Sequence, residues 1–164
     1  MTLSISISPG TLDDPQVLQM LADSDAYYAG LYPAESNHLL DVSSLLAENV
    51  SFFVARDQAK ACGFGALVAT PMYGEVKRMY VDAASRGLGI GQMLLDRIEQ
   101  QAGALGLGML RLETGVRQPE AIALYRKNGF GPIGPFGDYQ TDPLSLFLEK
   151  RLTRSASKPG AGRS

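Results

Sequence analysis

The sequence predicts an α+β domain, or mixed sheet, in which one β-α-β unit is embedded. Three observations predict it. Short runs of apolar residues at period two, bounded by Gly and Pro, have the pattern of half-buried strands. A longer stretch, Ile90 to Leu105, carries apolar residues at helical spacing and is flanked by strand-like runs on both sides. The length of 164 residues, 45% hydrophobic and 20% charged, suits one domain able to bury roughly 70% of its unfolded surface.

The elements follow in order. Leu3, Ile5 and Ile7 alternate with serines, a strand that Pro9-Gly10 ends. Asp13 or Asp14 followed by Pro15 is a helix start, an acidic cap with Pro in the first turn. Val17, Leu18, Leu21 and Tyr28 supply that helix's apolar stripe, and Tyr32 to His38 reads as a loop. Asp41 or Ser43 caps a short helix through Leu45 and Leu46. Ser51 to Ala55 and Cys62 to Thr70 form a hairpin around a polar turn, and Glu75 to Val81 is a third strand-like run after Pro71. The helix over Ile90 to Leu105 sets Ile90, Leu94, Ile98, Ala102 and Leu105 on one face, with Gly103 and Gly106 marking its end. Met109 to Glu113 is a strand, Pro119 to Asn128 a helix with Gly129 as its C-cap, and Leu144 to Leu148 a last strand. Residues 1–152 make one domain. The tail 153–164 has no hydrophobic residue larger than Ala and reads as a disordered basic segment.

Composition removes several classes of function. No apolar run approaches the ~18 residues of a membrane span, and the first residues lack the basic and apolar regions of a secretory signal. One Cys suits a reducing, cytoplasmic setting, and packing is the expected role of Cys62. One His counts against Ser-His-Asp chemistry and multi-His metal sites, so no metal is expected. The net charge of −2 conceals an asymmetry: residues 1–57 hold eight acids and one base, whereas residues 58–130 hold nine bases and six acids. No folded basic face for duplex nucleic acid is visible. A small polyanion bound by the middle of the chain fits better.

The stretch from Val81 through Arg86-Gly87-Leu88-Gly89-Ile90-Gly91-Gln92 joins a strand to a strong helix. Glycines let the backbone turn tightly and approach a ligand, and the first amides of the helix face it with the positive end of the dipole. The unit is built for phosphate or pyrophosphate. It is not a Walker loop, since no Gly here is followed by Lys. Nor is it G-x-G-x-x-G, because Gln92 or Leu94 stands where the third glycine belongs.

Arg86-Gly-Leu-Gly89-Ile-Gly91 resembles the R/Q-x-x-G-x-G/A signature of the GNAT superfamily of N-acetyltransferases. Ala121-Ile-Ala-Leu124-Tyr125-Arg-Lys-Asn-Gly129-Phe130 resembles the same family's A-x-x-L-Y-x-K-x-G-F helix. The likeness covers roughly Gly74 to Phe130. It implies a mostly antiparallel mixed sheet with flanking helices and a central β-α-β cofactor unit. It also implies acetyl transfer from acetyl-CoA to a primary amine, directly within a ternary complex. Met79, Tyr80 and Val81 are then the strand end that pairs with pantetheine, and Arg86 to Gln92 cradle the pyrophosphate. Lys127 favours the phosphates. Gln118 stands seven residues before Tyr125, where the family often has Asn.

A protonated amine, with a pKa near ~10, must lose its proton before it attacks. Tyr125 is implied as proton donor to the coenzyme sulfur, and a backbone N–H near Met79 to Val81 as donor to the oxyanion. For the base the resemblance implies Glu75 first, six residues before Val81, where the family has a glutamate on the same strand. Strand alternation puts it on the face of Lys77, Met79 and Val81. Glu113 is the second candidate, its bland reading a charge partner of Arg78 or Arg111; His38 or a water relay are the others. Tyr28, Tyr32, His38 and Glu113 are candidate acceptor-binding residues, and Tyr27 and Gly137 to Gln140 can shape that pocket. The acceptor expected is a small amine or an amino-acid-like molecule, with no membrane partner. A homodimer is compatible with all of this.

Overall fold

A computed structural model describes residues 4–153. Leu3 and the tail from residue 154 lie outside the described residues. Among the described residues seven strands form one sheet: β1 (Ile5–Pro9), β2 (Val50–Asp57), β3 (Lys60–Ala69), β4 (Gly74–Val81), β5 (Met109–Gly115), β6 (Gly131–Ile133) and β7 (Ser145–Arg151). Their order is β1-β2-β3-β4-β5-β7-β6. Every pairing is antiparallel except β4 with β5.

Among the described residues three α-helices cover the two faces: α1 (Pro15–Leu31), α2 (Ile90–Ala104) and α3 (Pro119–Lys127). On one face α2 buries Ile90, Leu94, Leu95, Ile98 and Ala102 against Phe53, Leu67, Leu110 and Leu148, joined by Tyr125 of α3. Each fully buried Leu or Ile contributes about 1.5–3 kcal/mol there. On the other face α1 buries Val17, Met20, Leu21 and Tyr28 against Phe52, Phe64 and Tyr80. Asp14 caps α1 by accepting from the Gln16 N–H, and Arg56 donates to its other oxygen.

The structure differs from the sequence reading in several details. Leu18 lies outside the α1 stripe and is exposed, its place taken by Met20. Leu105 is the C-cap of α2 and points to solvent. Helix α3 ends on an Asn128 cap, with Gly129 following at φ +93°. Strand β6 is only three residues long and has no period to read.

One irregularity shapes the site. Arg78 has φ +59°, outside the usual range for a non-glycine residue. Between Ala66↔Lys77 and Phe64↔Tyr80 the β3–β4 register slips, so β4 carries an extra residue, a β-bulge. Beyond Glu75↔Arg111 no β4–β5 pairing continues, and the two strands splay. Glycines in β3 make room for this. A Cβ at Gly65 would lie 2.6 Å from the Met79 sulfur, and one at Gly63 would lie 3.0 Å from the Tyr80 carbonyl oxygen.

The bulge corrects the expected alternation. Glu75 and Lys77 face the α1 side, where Lys77 reaches the His38 carbonyl. Met79 and Val81 pack against the α2 core instead. Glu75 therefore does not share a face with Met79 and Val81, because one extra residue reverses the alternation.

Candidate active site

A groove of ≈ 460 Å³ runs between the end of β4, the turn into α2 and the first turns of α3. Its wall includes Met79, Tyr80, Val81, Arg86, Gly87, Gly89, Ile90, Gly91, Gln92, Gln118, Tyr125 and Lys127. The structure thus brings together nearly every residue expected to hold the cofactor. Leu88 is the exception; it points away and is exposed.

Local physics explains the groove. Gly87 and Gly89 have φ +81° and +82°, and a Cβ on either would meet no protein atom within 4 Å. The turn is thus left-handed, and open space borders it where a ligand can approach. Gly89 caps α2 without a side chain, leaving the first helical N–H groups to face that space. The guanidinium of Arg86 lies 5.0 Å from the Tyr27 ring centre, and its Nε donates to the Val81 carbonyl oxygen at 3.0 Å. Gln92 exchanges two amide hydrogen bonds with Asn128, at 2.8 and 2.9 Å, tying α2 to α3. Its side chain is therefore engaged within the protein, and its backbone is the part free to meet a ligand.

The splayed strand presents backbone to the groove. The Met79 carbonyl accepts from the Tyr28 hydroxyl at 2.8 Å, and the Val81 carbonyl accepts from Arg86. The Tyr80 carbonyl instead points toward β3 at Gly63. Because a strand residue directs its N–H and C=O to the same edge, the amides of Met79 and Val81 lie on the open side.

A second, smaller pocket of ≈ 70 Å³ adjoins the first. Tyr28, Met79, Gln118 and Tyr125 line both. Tyr32, His38, Lys77 and Glu113 are also part of its wall. Tyr125 stands where the two cavities meet, its ring edge-on to Phe130 at 5.6 Å. Burial, with Tyr28 and Glu113 alongside, pushes its phenol well above the ordinary value. The Tyr28 phenol is raised by burial too, with Tyr27 and Tyr80 adding to it.

The two carboxylates separate. Glu113 lines the small pocket and accepts from the Ser145 hydroxyl at 2.7 Å. Burial raises its carboxyl above the usual range, against the pull of that hydrogen bond. The bland alternative for Glu113 fails, since Arg78 pairs with Asp25 and Arg111 with Glu149. Glu75 is not part of the pocket lining. It accepts from the Tyr139 hydroxyl and lies 3.6 Å from Lys77 Nζ. Tyr139 is delivered there by the 137–140 loop, which rests on Phe136 and Phe147.

His38 lines the pocket with its ring edge-on to Tyr139. Its Nε2 is buried without a hydrogen-bond partner among the described residues, 4.0 Å from Asp142. The Tyr32 hydroxyl donates to Gln118 Oε1 and accepts from the Arg117 N–H, both at 3.1 Å. Gln118 therefore orients the start of α3 as well as facing the groove. None of the acids in residues 1–57 lines the small pocket; Asp14 and Asp25 are spent on Arg56 and Arg78. Cys62 is buried, and burial raises its thiol.

Sequence reasoning missed Arg78 and gave Tyr139 no specific role. No signal marks Arg78, because Val76, Arg78 and Tyr80 are all buried in apparent alternation, and that regularity hides the bulge.

The comparisons with known proteins agree with this geometry. Residues 48–132 match the acetyltransferase (GNAT) domain. The chain is 53% identical over 138 residues to an IAA acetyltransferase of Azospirillum brasilense, covering 83% of this chain and 90% of the relative. A solved structure from Klebsiella pneumoniae subsp. pneumoniae, described as an acyl-CoA N-acyltransferase, superposes with a TM-score of 0.79 at 36% identity. That match covers 91% of this chain and 98% of the other. PaiA N-acetyltransferase from Thermoplasma acidophilum, in complex with coenzyme A, shares the fold with a TM-score of 0.72 at 22% identity, over 92% and 100% of the two chains. Fold and site together define an acetyltransferase. The chain belongs to the GNAT acetyltransferase family, as its glycine turn and its Leu124-Tyr125 helix imply. No helix among the described residues is long and apolar enough to cross a membrane.

Proposed function

We propose that the protein moves an acetyl group from acetyl-CoA to a small amine, directly, with both substrates bound at once. The observation that carries this reading is the position of Tyr125, on the wall shared by the long groove and the small pocket. The residues present fit coenzyme A. The open space beside Gly87 and Gly89 admits a pyrophosphate, the α2 amides and Arg86 supply positive charge, and the free edge of β4 offers backbone partners to an amide-containing arm. Bound there, the thioester supplies an activated acyl group.

The chain's own groups do the rest. The Met79 N–H, on the open edge of β4, donates to the acyl oxygen as negative charge develops. Glu113 accepts the proton of the incoming amine inside the small pocket. The Tyr125 hydroxyl, kept neutral by burial, gives its proton to the departing sulfur and recovers one from the nitrogen of the collapsing intermediate. Glu75, bonded to Tyr139, orients the acceptor side and does not take the amine proton. The pocket volume of ≈ 70 Å³ favours a compact amine head over a folded protein surface. Similarity to an IAA acetyltransferase likewise favours a small-molecule acceptor.

Incubation with acetyl-CoA and a pooled amine library, with thiol release and acetylated products followed, tests this. Stoichiometric acetylation of one amine class is expected. Coenzyme A binding without turnover on any amine would favour a non-catalytic acyl-CoA sensor.

A further inference from the structure

The bulge at Arg78 is held by an unusual anchor. Its side chain is only 3% exposed, though it is a guanidinium on a sheet. Nε donates to the Leu40 carbonyl oxygen at 2.8 Å, and Nη1 donates to Ser24 Oγ at 3.3 Å and to Asp25 Oδ1. These partners come from two separate segments: Ser24 and Asp25 from α1, Leu40 from the loop that walls the small pocket through Asn37, His38 and Leu39. Lys77, the preceding residue, donates to the His38 carbonyl oxygen at 2.8 Å in the same loop. Neighbouring strand residues ordinarily point to opposite faces. Here both cations reach one side because the bulge adds a residue between them and Tyr80.

The backbone of Arg78 is strained as well. A left-handed φ on a non-glycine residue persists only where the surroundings over-determine it, and the three bonds of the guanidinium supply that constraint. The next residue in the chain is Met79, whose amide lies on the open edge of the strand. Arg78 itself lines the small pocket, yet its Nε and Nη1 are both engaged by protein partners.

The geometry points to Arg78 as a positioning residue. It locks the Arg78–Met79 peptide to α1 and to the 38–40 loop, so that the amide facing the acyl oxygen and the wall of the acceptor pocket hold one fixed relation. This rests on the proposed transfer reaction. It adds that acceptor-side order and oxyanion geometry are set by one buried guanidinium, so that disturbing either disturbs the other.

Arg78→Gly separates the side chain from the backbone, because glycine adopts the same φ without the anchor. Two readouts apply: amide hydrogen exchange on the free protein, and steady-state kinetics beside coenzyme A calorimetry. Exchange is expected to accelerate in 38–41 and in 78–81 together while α2 and β5 stay protected. The coenzyme A Kd is expected to stay near wild type, with kcat down by about a hundredfold, the scale for a small misplacement of a reacting group. Asp25→Ala, at the half-exposed end of the ion pair, covers the case where the first variant fails to fold; a smaller shift in the same two segments is expected. Wild-type kcat and exchange in the folded variant would overturn the proposal. So would uniform acceleration with parallel loss of kcat and cofactor affinity, the mark of general destabilisation. If the wild-type protein binds no coenzyme A, the transfer reading falls, and the ligand-free exchange experiment still decides whether Arg78 couples the two segments.

Discussion

The Tyr28 hydroxyl on α1 donates to the Met79 carbonyl oxygen on β4 at 2.8 Å, across the point where β4 leaves β5. It holds the opened strand from the helix side, one residue beyond the bulge. Tyr28→Phe removes this bond and leaves the ring packing intact. A net hydrogen bond is worth about 1 kcal/mol, so kcat should fall by roughly fivefold to tenfold with coenzyme A affinity unchanged. Parallel kinetics and calorimetry check the split.

Tyr125→Phe removes the proposed proton donor at the junction of the two cavities. Loss of a positioned general acid lowers turnover by about 10²–10⁴-fold. The ring stays in the core beside Phe130, so the melting temperature and the coenzyme A Kd should barely move. An unchanged rate would take Tyr125 out of the acid role.

Glu113→Gln tests the base and carries a sign in pH. Burial raises the Glu113 carboxyl in the folded state, so the native protein binds its proton more tightly than the unfolded chain does. Stability from this group is complete below the unfolded pKa of about 4.3 and is lost as pH rises through the folded value. The Gln variant lacks that loss, so its melting temperature relative to wild type should improve from acid toward neutral pH. The wild-type rate should rise with pH along a limb set by Glu113. The variant should lose that limb, with a fall in kcat of about 10²-fold or more.

Much of this architecture was legible in the residues. Asp14-Pro15 marked a helix start, the Ile90-Leu94-Ile98-Ala102 stripe marked α2, and the glycine turn between strand and helix marked an anion site. These are local patterns, and local sterics and periodicity decide them. What stayed hidden depends on pairing between distant segments. The bulge at Arg78 breaks no visible alternation, and it alone moves Glu75 off the face of Met79. The partner of Glu75, Tyr139, comes from a loop 64 positions away and is placed by aromatic packing that has no period.

Gly89→Val probes the cradle. A β-branched residue at φ +82° is strained whatever space surrounds it, and its side chain would fill the opening beside the turn. Coenzyme A binding should be lost while the free protein stays folded, as circular dichroism and calorimetry would report. Retained affinity would move the pyrophosphate away from this turn.

In the proposed reaction the groove bounded by the free edge of β4, the α2 amides and α3 receives the acyl-CoA donor. Isothermal titration of coenzyme A into the wild-type protein checks this. A single saturable site per chain, lost in Gly89→Val and kept in Tyr125→Phe, is the predicted result. A wild-type titration with no binding heat at any temperature tried, or binding untouched by the Gly89 substitution, would contradict it.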